Sequence, residues 1–319
     1  MEKRRHFLKT AGAVAAGSLV LPLSCTSKKA AESTVETTAD MAATKDIGIQ
    51  LYTLRNEIRA EGVEAILNKV AEAGYKWIEP FGYEARKFLG KTPAEFKKIC
   101  DGLGMSVPSV HSVTEVSSDG GKDAILDQMK TSAEDALALG AEYMVWAYLK
   151  PEDRTSMEDY KRHTETWNNF SQVCKDAGIQ FAYHNHDFEF IAFEGETEKP
   201  YELIMRETDA DLMKFEMDLF WVNMANEDPV AWFDRNQGRI PLWHVKDMVK
   251  EEDKYMVNGN EMFFAPVGEG KIDFKRIFEA RNTCGMKYFF VEQDFCAEGS
   301  KPLDNIKISW DYLNSAPFV

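Results

Sequence analysis

The 319-residue chain predicts one α/β domain, a closed (β/α)8 barrel of parallel strands alternating with helices. Three observations carry this. From Ile47 onward, apolar runs of strand length alternate with amphipathic helical patterns, and the unit repeats eight times. Most of the strand runs are near-continuously apolar, as parallel strands covered by helices require. The sequence lacks the Gly-rich phosphate turn that an open doubly wound sheet would carry after an early strand.

Residues 1–25 read as an address rather than as fold. Lys3-Arg4-Arg5-His6-Phe7-Leu8-Lys9 is a twin-arginine export motif. The apolar run Ala11–Leu23 that follows is short for a membrane span, and Ser24-Cys25 has the form of a lipoprotein cleavage site. The expectation is an exported protein, periplasmic or membrane-anchored through a lipid on Cys25. Residues 26–45 are rich in Ala, Ser, Thr, Glu and Lys without periodicity, which suits a flexible linker. The catalytic domain is then 46–319.

The expected strands are Ile47–Leu54, Trp77–Gly82, Ser106–Val113, Tyr143–Leu149, Ile179–His186, Leu212–Trp221, Pro241–Asp247 and Lys287–Gln293. Helices fill the gaps. Val63, Ile66, Leu67 and Val70 have helical spacing, with Gly74 to end the turn. Thr92-Pro93-Ala94-Glu95 is a capping box with proline at the first helical position. Ile125, Met129 and Ala133 lead to Gly140, and Tyr160, His163, Trp167, Phe170 and Cys174 lead to Gly178. Asp228-Pro229 and Asp273 open two more helices, and Asp304 a short last one. Glu251–Pro266, before Val267-Gly268-Glu269-Gly270, reads as an insertion after the seventh strand. Trp77, Trp232, Trp243 and Trp310 are expected in the core, and His163 is structural.

A net charge of -15 argues against nucleic acid as a partner and against an anionic membrane surface. Beyond Cys25 stand Cys100, Cys174, Cys284 and Cys296, with no CxxC, so a thiolate zinc site is not expected. Cys284 and Cys296 flank a strand of about eight residues, which sets them roughly 25 Å apart, too far to bond. All four are expected buried and reduced.

The chemistry gathers at strand ends. Ile179–Phe190 begins as an apolar strand and ends in His184, His186, Asp187 and Glu189. His184 and His186 share one face; Phe181 and Tyr183 take the other. Gln50 and Tyr52, Glu79, His111, Glu216 and Asp218, His244 and Lys246, and Glu292 and Asp294 occupy the equivalent position on other strands. In an eight-fold barrel these converge on one face. Asp218, His244 and Glu292 offer one donor each from three consecutive strands, and His184 or His186 completes a ring of four. Carboxylate and imidazole donors without thiolate suit one divalent cation, Mn2+ or Zn2+ by preference, with Mg2+ and Co2+ open. Glu216 reads as an interior ion pair. Trp146, Tyr148, Phe220 and Trp221 are candidates to stack on the apolar face of a bound ring.

The runs YHNHDFEF, MDLFWV, HVKDM, VGEG-x-IDF and FVEQD, in that order and at those strand positions, resemble the sugar phosphate isomerase/epimerase family with its xylose isomerase-like TIM barrel. The resemblance covers the chain from about Ile47 to its end. It implies one divalent metal on strands five to eight, with Asp218, His244 and Glu292 as ligands. Sugar epimerases of that family place a glutamate on strand five; His184 and His186 stand there instead. The histidine-rich strand is similar to that of inosose dehydratases and of lyases acting on 3-keto-glycosides.

The resulting assignment makes His184, Asp218, His244 and Glu292 the metal ligands. It makes His186, Glu292 and Lys246 catalytic, with His186 or Glu292 as the base. Glu79, His111, His184, Glu189 and Trp221 would bind substrate, a sugar, keto-sugar or polyol. The implied reaction is proton abstraction next to a carbonyl, ending in isomerisation or epimerisation, with β-elimination as the rival. Further rivals are a metal-dependent apurinic endonuclease, disfavoured by the acidic charge, and a non-catalytic sugar-binding lipoprotein. Homo-oligomerisation stays open.

Overall fold

The computed structural model describes residues 45–113 and 121–319. The export motif, Cys25 and all of the expected linker but Lys45 lie outside the described residues. Among the described residues no helix is long and apolar enough to cross a membrane.

Eight parallel strands make one sheet: β1 (Gly48–Gln50), β2 (Trp77–Glu79), β3 (Ser109–Val113), β4 (Tyr143–Trp146), β5 (Gln180–His184), β6 (Met213–Asp218), β7 (Leu242–Val245) and β8 (Tyr288–Val291). Consecutive strands pair from β3 through β8, and β1 pairs with both β2 and β8. Between β2 and β3 the ring is completed through Ser106, which donates to Lys76 O at 2.9 Å and accepts from Ile78 N at 2.8 Å. The strands thus form the expected barrel.

Two-residue periodicity sorts the side chains. Tyr143, Val145, Ala182, Leu242 and Phe290 fill the lower barrel interior as a separate apolar plug. Residues two further along β5, β7 and β8 are His184, His244 and Glu292, so the plug becomes a polar layer within one side-chain step. The opposite faces pack on helices: Tyr183 meets Trp167 at 4.5 Å and Phe181 meets Phe170 at 6.4 Å between ring centroids. Each large aromatic buried this way contributes on the order of 2–3 kcal/mol.

The caps stand where the residue types require. Thr92 and Glu95 exchange reciprocal bonds at the start of Pro93–Gly102, and Asp228 and Asp273 cap Pro229–Arg235 and Phe274–Glu279. Such a cap is worth about 1 kcal/mol. Some expectations are corrected. The first strand stops at Gln50, because the Gln50 side chain accepts from Tyr52 N and starts a tight helical turn, Leu51–Leu54. The last helix is long, Pro302–Ser315, with Pro302 at its first turn. The insertion after β7 is an antiparallel hairpin, Tyr255–Val257 with Asn260–Met262, turning at Asn258-Gly259, both at positive φ. Cys100, Cys174 and Cys284 are buried and free; Cys296 is free but only half-buried. Trp232 and Trp243 are buried, whereas Trp77 and Trp310 are half-buried against the core.

Candidate functional site

His184, Asp218, His244 and Glu292 are all buried, and each offers a donor atom within 4.8 Å of the others. His184 Nε2 lies 3.1 Å from His244 Nδ1 and 3.3 Å from Asp218 Oδ2, and His244 Nδ1 lies 2.7 Å from Glu292 Oε2. The register explains the meeting: Asp218 pairs with His244 across β6 and β7, and Glu292 follows directly on β8. Asp218 Oδ1 caps the next helix through Phe220 N and Trp221 N, which turns Oδ2 into the cluster, 3.0 Å from Lys246 Nζ. Two imidazole nitrogens and two carboxylate oxygens aimed at one point are the donor set of a borderline divalent cation. His184 belongs to this set. His186 lies beyond the strand end, in the cavity wall above.

A second layer lies deeper. His244 Nε2 is 2.7 Å from Glu79 Oε2 and 3.2 Å from Glu216 Oε2, and His111 Nε2 is 2.6 Å from Glu216 Oε2. Gln50 Nε2 at 2.9 Å and the Ser109 hydroxyl also donate to Glu79. Glu79 is fully buried beneath His244 and does not reach the cavity, so the structure places it as a partner of His244 rather than of substrate. Glu216 makes the interior ion pairs expected of it. His111 bridges the layers: it stacks on His244 at 5.1 Å and also lines the cavity. Burial opposes charge on His244, but Glu216 and Glu292 outweigh it and hold its pKa well above the ordinary histidine value.

Lys246 Nζ is 2.7 Å from Glu292, 3.0 Å from Asp218 and 3.1 Å from Asp294. Burial opposes its charge, yet the three carboxylates raise its pKa well above the usual lysine value, so it stays an ammonium. Glu292 is driven the other way: Lys246 and His244 overcome burial and hold its carboxyl well below the usual range. Burial pushes Asp294 up to about 6 against the pull of Lys246. Asp294 stood among the strand-end acids but carried no role. Its spacing of two from Glu292 was the available signal.

The cavity above these groups holds about 480 Å³, and its lining includes Tyr52, Phe81, Tyr148, His186, Asp294 and Phe295. His186 stacks on Phe188 at 5.2 Å, with Tyr148 edge-on at 5.0 Å and Trp221 tilted at 5.5 Å. Burial first, then the charges of His184 and Lys246, lower its pKa well below the ordinary value, so the ring is neutral. Its Nδ1 is buried with no hydrogen-bond partner. Trp221 is not among the residues lining the cavity and meets the site through His186 and through Lys246, whose Nζ lies 5.8 Å from its ring centroid. Glu189 does not line the cavity. A turn after β5 carries it to the helix side, where it accepts from the Tyr183 hydroxyl and, at 2.8 Å, from His186 N. Trp146 also faces the helices, stacked on Phe170, and Phe220 stacks on Phe264. Of the candidate stacking residues, Tyr148 lines the cavity.

The family model for xylose isomerase-like TIM barrels matches residues 67–313. The chain belongs to the xylose isomerase-like TIM barrel family. Two solved structures described as sugar phosphate isomerase/epimerases of Parabacteroides distasonis share the fold at a TM-score of 0.73. They are 30% and 27% identical, and each alignment covers 99% of that chain and 86% and 89% of this one. An inosose dehydratase of Lacticaseibacillus casei is 29% identical over 149 residues, 43% of this chain and 48% of its own length. The chain thus spans about half the length of the curated relatives it matches. A solved IolI protein with a zinc atom bound is 16% identical at a TM-score of 0.63, a likeness of fold alone.

Proposed function

We propose that this xylose isomerase-like barrel is a divalent-metal-dependent isomerase or epimerase that removes a proton next to the carbonyl of a sugar, keto-sugar or polyol-derived ketone. The observation that carries the reading is the convergence of His184 Nε2, Asp218 Oδ2, His244 Nδ1 and Glu292 Oε2 beneath a cavity walled by aromatic rings and a neutral histidine. The donor set fits a divalent ion: Asp218 Oδ1 is spent on the helix cap, which leaves Oδ2 turned into the cluster beside His184 Nε2. Zn2+ or Mn2+ suits two nitrogens and two oxygens; the zinc in the IolI structure supports the first. Bound there, the ion would polarise a substrate carbonyl and a neighbouring hydroxyl.

The protein's own groups supply the rest. His186 is the better of the two candidate bases. It is neutral and opens onto the cavity, whereas Glu292 is bound to His244 and Lys246 and belongs to the donor cluster. Lys246, held as an ammonium, donates a hydrogen bond to the oxygen on which negative charge grows. His111 contacts a hydroxyl from the opposite wall. The proton held by His186 then returns to carbon, giving the isomer or epimer. If a substituent on the next carbon departs first, the product is that of elimination. The inosose dehydratase relatives favour this second reading. We further propose that residues 1–25 direct export by the twin-arginine route and that Cys25 carries a lipid, which membrane fractionation with a Cys25→Ser control tests.

The deciding experiment is elemental analysis of the purified protein, followed by incubation with keto-sugars and 3-keto-glycosides in deuterated water. Deuterium at the carbon next to the carbonyl marks enolisation, and a released aglycone with an unsaturated keto-sugar marks elimination. A metal-loaded protein that yields neither with any member of the panel overturns the reading.

A further inference from the structure

A general base is usually oriented by a third group bonded to its other ring nitrogen. His186 has no such group. Its Nδ1 is buried without a hydrogen-bond partner, and Glu189 Oε2 takes its backbone N–H, at 2.8 Å, rather than its ring. Contacts between flat groups do the orienting instead. Phe188 lies parallel to the imidazole, with 5.2 Å between centroids and 8° between planes. Arg154 Cζ stands 3.3 Å from the Phe188 centroid. A guanidinium so placed fills one face of the phenyl ring, so the imidazole occupies the other. Arg154, Phe188 and His186 thus form one stack. Tyr148 closes its side, edge-on to His186 at 5.0 Å and 74° and to Phe188 at 5.9 Å and 81°.

The stack joins two loops. Tyr148 and Arg154 follow β4, whereas His186 and Phe188 follow β5. The loop after β4 is folded on itself. Trp146 Nε1 donates to Tyr148 O at 2.9 Å, and Arg154 Nε donates to Leu149 O at 3.1 Å. Leu149 is buried, so the second bond ties the half-buried guanidinium to a fixed point of the backbone. Arginine suits this place better than lysine. Its planar, delocalised cation covers an aromatic face while its N–H groups donate in their own plane. Arg154 does not line the cavity, but His186 and Tyr148 do. Its influence on a bound substrate must therefore pass through Phe188.

We propose that Arg154 is a positioning residue: stacked on Phe188, it holds that ring against His186 and so sets the direction in which the imidazole faces the cavity. The proposal rests on His186 as the base and adds the group that orients it. Arg154→Met removes the planar cation, and Arg154→Lys keeps the charge without the plane. Both should lower kcat for deuterium exchange about tenfold or more while KM stays within about threefold and bound metal is unchanged. A lysine variant as fast as the wild type would assign the effect to charge and overturn the stack. Phe188→Tyr retains the ring and should lose less rate than Phe188→Leu; equal losses count against the proposal. NMR of the histidine-labelled protein with Zn2+ added reads the ring without turnover. The His186 resonances, identified by their absence in His186→Gln, should carry a ring-current shift that Phe188→Leu abolishes and Arg154→Met alters. Resonances unmoved in Arg154→Met overturn the proposal whatever the rate does. Moved resonances with an unchanged rate leave Arg154 as the positioning group and remove His186 from the base role. Should Arg154→Met not fold, Arg154→Lys and the two Phe188 variants decide by the same readouts.

Discussion

His244 Nε2 lies 2.7 Å from Glu79 Oε2, on the side of the ring away from Glu292, which faces Nδ1 at the same distance. One imidazole thus joins the donor cluster to a buried carboxylate layer. A ligating histidine whose other nitrogen donates to a carboxylate is fixed in tautomer and orientation, and its basicity rises. Glu79→Gln keeps the shape of the partner but removes its charge. It should weaken divalent-metal affinity by about 10–100-fold, measured by competition with a chelator, while far-UV circular dichroism stays unchanged. Unaltered affinity would show that the deep layer serves packing alone.

His186 combines a lowered pKa with an open side toward the cavity. As a base it works in the neutral form, which exists above its pKa. Because that pKa lies well below the ordinary histidine value, the rate should hold as pH falls through the usual histidine range and drop only below it. His186→Gln should cut deuterium exchange by about a hundredfold or more and leave bound metal unchanged. Loss of the metal along with the rate would move His186 from the base role to the ligand set.

Burial raises the Glu189 carboxyl from 4.5 to about 7. Above 4.5 the unfolded chain gives up this proton, whereas the folded protein holds it until about 7. The unfolded state then binds fewer protons, so stability falls as pH rises across that window and levels off above it. The full shift corresponds to about 3 kcal/mol. Urea unfolding below and above the window reads it directly. Glu189→Gln should flatten the slope, and a slope that survives the substitution would assign it to another group.

The barrel and the meeting of His184, Asp218, His244 and Glu292 were legible because both follow from period two. A strand that reads Leu242, His244, Lys246 buries its apolar end in the barrel and delivers its polar end to the mouth. Depth was not legible. Glu79 and Lys246 look alike as polar strand ends, but Glu79 pairs in register with Gln50 and bonds His244 from beneath, whereas Lys246 opens into the cavity. Glu189 was misplaced because Asp187 starts a tight turn, which ends the alternation that placed His184. Trp146 could have been read correctly. Tyr143 and Val145 face inward, so the intervening parity sends Trp146 to the helices. Asp294 lies past the end of β8, two residues after Glu292, where it lines the cavity and meets Lys246.

Lys246 provides the sharpest test of how charge is balanced at the mouth of the barrel. Its ammonium is 3% exposed and lies among Asp218, Glu292 and Asp294. Lys246→Met keeps much of the side-chain volume but leaves three carboxylates facing one another in a poorly solvated place. Breaking a buried ion pair from one side costs about 3–5 kcal/mol, so the metal-free variant should unfold at a clearly lower Tm. Asp218 and Glu292 would then lose their ammonium partner and have only His244 and a divalent ion as counter-charges. Added Zn2+ or Mn2+ should therefore raise the Tm of Lys246→Met by more than it raises that of the wild type. Equal increments in the two proteins would mean that the ion does not share these carboxylates with Lys246, and the ligand set drawn from Asp218 and Glu292 would have to be abandoned.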